Sequence, residues 1–322
     1  MAYRTILALL LALLSLPGLA QTPASGYDTE RREREDRLLV PTEQAEAVWN
    51  FMRDRFLADH TFIQSLDPRF TSTAAEELFT DTYYDVPELK ALAMQAGIRH
   101  RRRVNLTNPE DRKSGRELVQ VKLSGEGGAG LERSEFKYEV RSGRGTGKPL
   151  DNHPLLGLIK RPQREEFIKR VRAAGLDPLV MRPVLTIVDR RQRIYLLRDG
   201  QPYISMTLDT ATTQLYGVEA RFVEFEPEPG EIIFTEASPE EQQAMVAVID
   251  RIINEMTTNF PDLKRDLTPK YNKMFQRLEA RQPMLRQLAP ITPDELFSMV
   301  LAGLSLLAAA AYFLYRLTRQ RN

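Results

Sequence analysis

The chain has 322 residues, 42% of them hydrophobic and 28% charged, with 45 basic residues against 44 acidic ones. That size allows one large domain or two ordinary ones, and the composition excludes a disordered chain and a multi-span membrane protein. A formal charge of +1 excludes a generic nucleic-acid binder, and the lack of cysteine excludes thiol catalysis, thiolate metal sites and disulfides.

In chain order, residues 1–20 open with Arg4, continue as an apolar run and end in Pro17-Gly18-Leu19-Ala20, the pattern of a cleaved signal peptide. Residues 21–30 read as a polar linker. A charged stretch, Glu33-Arg34-Glu35-Asp36-Arg37, then leads into Leu38-Leu39-Val40. A helix is predicted over 42–60, with Ala45, Val48, Trp49, Met52 and Phe56 at helical spacing. From Asp81 to Glu226 the pattern changes to short alternating runs separated by turns such as Arg198-Asp199-Gly200. Residues 152–175 interrupt them as a helical insertion with an apolar stripe of Phe167, Ile168 and Val171. Ser238-Pro239-Glu240-Glu241 opens another helix with a capping box, and Met245, Ile249, Ile252, Ile253 and Met256 form its buried face. An amphipathic stretch follows over 270–285. Residues 296–315 carry no charge over about twenty positions, with Asp294 and Glu295 before them and Arg316, Arg319 and Arg321 after. This predicts one transmembrane helix over 296–315, a cytoplasmic tail over 316–322, and an extracytoplasmic domain over 31–288 anchored to the cell membrane.

The strands have charge where an ordinary sheet has a plain wet face. Arg133, Glu135, Lys137, Glu139 and Arg141 alternate with Phe136, Tyr138 and Val140. Gln120 and Lys122 oppose Val119, Val121 and Leu123. Ser205, Thr207 and Asp209 oppose Ile204, Met206 and Leu208, and Glu224 and Glu226 oppose Val223 and Phe225. Arg99, Arg101 and Arg103 share one strand face. Like charges two residues apart lie about 7 Å from each other and need water or counter-charges between them. Closing the sheet with its polar face inward supplies both. The expected fold class is therefore α+β, an eight-stranded antiparallel tunnel-like β-barrel braced by helices.

The order of these motifs resembles the CYTH, or triphosphate tunnel metalloenzyme, superfamily, and looks most like its polyphosphate-polymerase branch, the vacuolar transporter chaperone domain. Glu33-Arg34-Glu35-Asp36-Arg37 has the spacing of the superfamily's Glu-x-Glu-x-Lys opening, with arginine in place of lysine. Tyr83-Tyr84-Asp85-Val86-Pro87, the basic strand Arg99 to Arg103, Val121-Lys122-Leu123, and the run from Arg182-Pro183-Val184 to Arg191 resemble its successive segments. Leu208-Asp209, the closing Glu224-Phe225-Glu226 and Pro269-Lys270-Tyr271 complete the likeness, which spans roughly residues 33–271. The sequence departs from the polymerase branch at Asn105, Gln120 and Ser205.

The resemblance implies that Arg37, Arg99, Arg101, Arg103, Lys122, Arg191 and Lys270 cradle phosphoryl oxygens, a task suited to the planar guanidinium fork. It implies that Glu33, Glu35, Glu224 and Glu226 hold Mg2+ or Mn2+, and that Glu33, Glu35 and Lys270 are catalytic. The expected ligand is a phosphate polyanion, handled by metal-dependent phosphoryl transfer or hydrolysis, with membrane-protein partners and no nucleic acid. The alternative is a non-catalytic polyanion- or partner-binding module of a membrane assembly. His60, His100 and His153 are not spaced as metal ligands, and residues 143–149 lack the spacing of a phosphate loop.

Overall fold

The computed structural model describes residues 31–111, 114–124, 131–142, 149–288 and 293–319. The side chains of residues 31–35, 124, 131–133, 149, 288, 293–294, 296 and 312–319 fall outside that description. The expected signal peptide and linker lie outside the described residues. So do positions 320–322 of the expected tail and the side chains of Glu33 and Glu35.

The described residues form one antiparallel sheet of ten strands, ordered β1-β6-β5-β4-β3-β7-β8-β9-β2-β10. In chain order the strands are β1 (Arg31–Glu35), β2 (Leu38–Val40), β3 (Phe70–Asp85), β4 (Gly97–Asn105), β5 (Glu117–Ser124) and β6 (Leu131–Glu139). They continue as β7 (Arg182–Arg198), β8 (Gln201–Leu215), β9 (Val218–Pro229) and the two-residue β10 (Lys264–Arg265). Two hairpins rest on residues that accept positive φ: Asp199-Gly200 (53° and 76°) between β7 and β8, and Tyr216-Gly217 (48° and 79°) between β8 and β9. Consecutive left-handed residues match the twist of paired strands.

The expected closed eight-stranded barrel is corrected to an open ladder. β1 pairs with β6, while β2, two residues further along the same segment, pairs with β9. The chain therefore crosses from one side of the sheet to the other at Asp36-Arg37, and the seam lacks a continuous run of strand hydrogen bonds. β3 also begins at Phe70, well before the predicted start of the strands. Its first half, Thr71 to Ala75, has no apolar alternation, and its pairing with the full length of β7 holds it extended.

Three apolar clusters fix the curvature. On the outer face, α1 (Ala45–Arg53), a π-helical turn (Asp54–Ala58), α2 (His60–Leu66) and the long helix Pro239–Asn259 bring Val48, Met52, Phe56, Ile63, Met245, Ile249 and Met256 together. These side chains pack on Ile194, Leu196, Ile204, Met206, Leu208 and Phe225. Ser238 caps the long helix by accepting from the Glu241 amide at 3.3 Å. On the other flank, Phe167 and Val171 of the helix Arg161–Ala173 cover Ile98, Val119, Val121 and Tyr138. With α3 at Lys90–Ala93 and α5 at Glu231–Glu236, these two helices are α4 (Arg161–Ala173) and α6 (Pro239–Asn259).

The third cluster lies on the concave side. There the inward face turns from charged to apolar within two residues, from Asp189 to Ile187, Asp209 to Ala211 and Glu224 to Phe222. Helix α7 (Lys270–Arg281) seats Tyr271, Met274, Phe275 and Leu278 on this apolar end. Each such side chain contributes roughly 1.5–3 kcal/mol by leaving water, so α7 is a fixed plug against β3, β7, β8 and β9.

The chain continues through α8 (Leu285–Leu288) into α9 (Pro293–Arg319). Among the described residues no helix is long and apolar enough to cross a membrane. Phe297, Met299, Val300, Leu301, Leu304, Leu306 and Leu307 of α9 are exposed, and the rest of the expected span, side chains 312–315, lies outside the description.

Candidate anion-binding site

Strand alternation aims every second side chain of β3 to β9 into the concave side. Register then sets neighbours: Asp81 stands opposite Arg101, Gln120 opposite Arg99, Glu135 opposite Lys122, Asp209 opposite both Arg191 and Glu224, and Thr207 opposite Glu226. Of these, Arg99, Arg101, Gln120, Lys122, Glu135, Arg191 and Glu226 line a cavity of about 430 Å³, within the range of ordinary ligand sites. Its lining carries ten cations, Arg37, Arg99, Arg101, Arg103, Arg116, Lys122, Lys137, Arg191, Arg193 and Lys270, against five carboxylates, Glu77, Glu135, Glu226, Glu228 and Glu231. The structure thus gathers all seven cations expected at the site, from β4, β5, β7, α7 and the β1–β2 crossing.

Charges this deep survive only where counter-charges satisfy them. Asp81 receives Arg101 through two bonds, Nε to Oδ1 at 2.7 Å and Nη2 to Oδ2 at 2.6 Å, and Arg99 Nη1 at 3.2 Å. Arg99 is further held by Gln120 Oε1 at 2.9 Å and the Tyr83 hydroxyl at 3.1 Å. Gln120 in turn donates to Glu135 at 3.2 Å, and Lys137 meets Glu135 at 2.5 Å and Glu231 at 2.8 Å. Arg103 pairs with Glu77, and Ser205 donates to Glu228 at 3.0 Å. The ring of Phe79 lies 4.3 Å from the Arg101 guanidinium and 5.3 Å from that of Arg191, a platform that orients both forks. Burial works against the Asp81 charge, yet Arg101 and Arg99 outweigh it and hold the carboxyl well below the usual range. Among the described residues, the Nε atoms of Arg103 and Arg193 are buried without a hydrogen-bond partner.

At the plugged end five carboxylates and four cations interlock among the described residues. Arg191 grips Asp209 through Nε at 2.7 Å and Nη2 at 2.5 Å, and reaches Glu226 at 3.5 Å. Arg37 Nε donates to Glu226 at 2.7 Å. The Lys270 ammonium meets Asp189 at 2.8 Å, Glu224 at 3.2 Å, and Asp209. Lys273 bonds Glu224 at 2.8 Å and Asp266 at 3.1 Å. Burial disfavours the charges here as well, but Arg37, Lys270 and Arg191 keep Glu226 well below the ordinary carboxylate range. Asp189, pushed by burial and the neighbouring Asp209 charge, moves up. Lys270, drawn by Asp189, Asp209 and Glu224 against the cost of burial, stays charged far above neutrality. Its placement comes from Tyr271, which stacks on Tyr83 at 4.9 Å and donates to Asp85 at 3.3 Å.

Asp209, Glu224 and Glu226 offer oxygens within 4.8 Å of one another, a hard donor set of the kind Mg2+ or Mn2+ takes. Of the four expected metal carboxylates, Glu224 and Glu226 are brought together, and Asp209 stands where sequence reasoning saw only a motif match. As they stand, however, all three are engaged by Lys270, Lys273, Arg191 and Arg37, so the described residues do not leave a divalent ion room without displacing a cation.

Sequence reasoning missed Glu77, Phe79, Asp81, Asp189 and Arg193. Their signal was parity: each lies an even number of residues from Tyr83 or Arg191, both part of the matched motifs. Asp85 proves structural. Its carboxylate accepts from the amides of Val86, Ala91 and Leu92 at 2.8–2.9 Å and so caps α3. His100 faces outward to Glu117 at 3.0 Å, and Asn105 turns the chain by accepting from Thr107 and Asn108.

No protein-family model matches the chain, and no curated protein matches it in sequence. Solved structures do. The PH1819 protein of Pyrococcus horikoshii aligns at 14% identity and a TM-score of 0.44, covering 76% of this chain and 98% of that one. A Hippeastrum adenylyl cyclase candidate with a dominant triphosphatase activity aligns at 15% identity and 0.42, covering 76% and 95%. An RNA triphosphatase of S. pombe aligns at 13% identity and 0.35, covering 74% and 85%. Likeness at this identity leaves the chemistry to the site's own residues.

Proposed function

We propose that the cavity binds a short phosphate polyanion, a tri- or polyphosphate group, as its physiological ligand. One observation carries this: ten cations and five carboxylates line one cavity, with Asp81, Asp189, Asp209 and Glu224 answering Arg99, Arg101, Arg191 and Lys270 from behind it, in a chain whose overall charge is close to zero. A near-neutral protein has no general reason to concentrate arginine in one cavity. Guanidinium forks in several orientations suit the oxygens of a linear phosphate chain, and the low local dielectric strengthens each contact. Closeness to the vacuolar transporter chaperone branch belongs to the same proposal and draws on the order of motifs between Glu33 and Tyr271.

The test is calorimetric titration of the full chain with tripolyphosphate. Arg101→Glu abolishes binding, whereas Arg172→Glu, at an exposed pair with Asp177, leaves it within about twofold. Equal losses in the two variants point to diffuse electrostatics and overturn the proposal. A second reading, metal-dependent hydrolysis or transfer of a phosphoryl group, requires a divalent ion to displace cations from the Asp209, Glu224 and Glu226 grouping. Phosphate release from tripolyphosphate with Mg2+ or Mn2+ decides it. We also infer that the domain sits outside a membrane on a single C-terminal span, supported by the uncharged stretch over 296–315; protease accessibility in sealed vesicles checks the orientation.

A further inference from the structure

We infer that the Lys270 ammonium stands where a divalent ion would otherwise sit, so that this site takes its anionic ligand without a metal. The inference deepens the phosphate-binding proposal, and its ligand arm rests on that proposal; its metal arm does not.

Carboxylates from three neighbouring strands converge on Lys270, itself part of the cavity lining: Asp189 from β7, Asp209 from β8 and Glu224 from β9. Such a convergence of unpaired anions would be prohibitively costly, so it needs a cation or a proton at its centre. Here that cation is built into the chain. The Lys270 ammonium contacts all three carboxylates, and its side chain is 8% exposed while theirs are fully buried. Among the described residues, the neighbouring carboxylates are engaged by further cations as well. Glu224 also bonds Lys273, Asp209 also receives a two-pronged guanidinium from Arg191, and Glu226 is held by Arg37. Among the described residues, five carboxylates, Asp266 included, meet four cations here. A divalent ion entering between Asp189, Asp209 and Glu224 would meet the ammonium itself at contact distance.

The lysine cannot easily swing away. It occupies the first residue of α7, and the next residue, Tyr271, is clamped between the Tyr83 ring and the Asp85 carboxylate, with Phe275 and Leu278 sealed below. On a fixed backbone the ammonium stays tethered beside the three carboxylates, at a local concentration no free ion matches.

Two measurements on the full chain test this. The first uses Mn2+ alone, followed by electron paramagnetic resonance. Wild type and Glu224→Gln give the same binding isotherm, because Glu224 is not a metal ligand in either. Lys270→Met gains one Mn2+ site and a matching rise in melting temperature on adding the ion, since its three carboxylates have lost their cation. A Mn2+ site present in wild type and lost in Glu224→Gln overturns the inference, as does a folded Lys270→Met that gains none. The second measurement is tripolyphosphate affinity, which stays within about twofold when a chelator is added. A tenfold weakening by chelator overturns the inference while leaving the phosphate site intact. Absence of tripolyphosphate binding under every condition instead removes the proposed ligand and leaves the Mn2+ result standing.

Discussion

Asp81→Asn tests the logic of the cavity most directly, because the substitution keeps shape and removes one charge. The carboxylate is 2% exposed, and it neutralises Arg101 (12%) by a two-bond contact and Arg99 (8%) by a third. Breaking a buried pair by deleting one partner costs about 3–5 kcal/mol, since the other charge stays buried and uncompensated. Urea unfolding at pH 7 is expected to show a loss of that size. The freed guanidiniums face the cavity, so the same variant should bind tripolyphosphate at least tenfold more tightly, about 1.4 kcal/mol. At a hundredfold excess over Kd the ligand should then return about 2.7 kcal/mol of stability. The pH dependence has a definite sign. Because the folded carboxyl is held low, its stabilisation is complete above the unfolded value of about 4 and is lost as pH falls through the lower folded value. The gap between wild type and variant should therefore be flat from about pH 5 to 8 and close below about pH 4. A loss under about 1 kcal/mol at neutral pH, or weaker ligand binding in the variant, refutes the picture of Asp81 as the counter-ion of this pair.

Gly230, between β9 and α5, lies against the β8 backbone, and a Cβ there would sit 2.2 Å from the Pro202 carbonyl oxygen. Gly230→Ala should cost about 1–3 kcal/mol in thermal unfolding, a strain of overpacking, since its φ of −59° is ordinary. Asp85→Ala strips three amides of their acceptor and should lose about 1–3 kcal/mol for each that stays dry; a smaller loss, measured by urea unfolding, would mean water replaces the carboxylate.

Residues two apart on a strand share a face whatever the tertiary fold, so the inward sets Arg99, Arg101, Arg103 and Glu224, Glu226 were legible before any coordinates. The amphipathic helices were legible for the same local reason, and Ser238 and Met245 to Met256 lie as their spacing required. Ladder closure was not legible. It depends on where the single segment 31–40 changes partner, a long-range choice between β6 and β9.

Period and charge along the chain determined that this protein would build a polar concave face and line it with arginine. Which acid answers which base was decided only in three dimensions. Asp81 became the partner of Arg101 and Asp209 that of Arg191 through strand register, and Lys270 reached Asp189, Asp209 and Glu224 because α7 docks on an apolar floor far from them in sequence. Pairing energies at such sites fall steeply with distance and dielectric. Those quantities exist only once the sheet has curved.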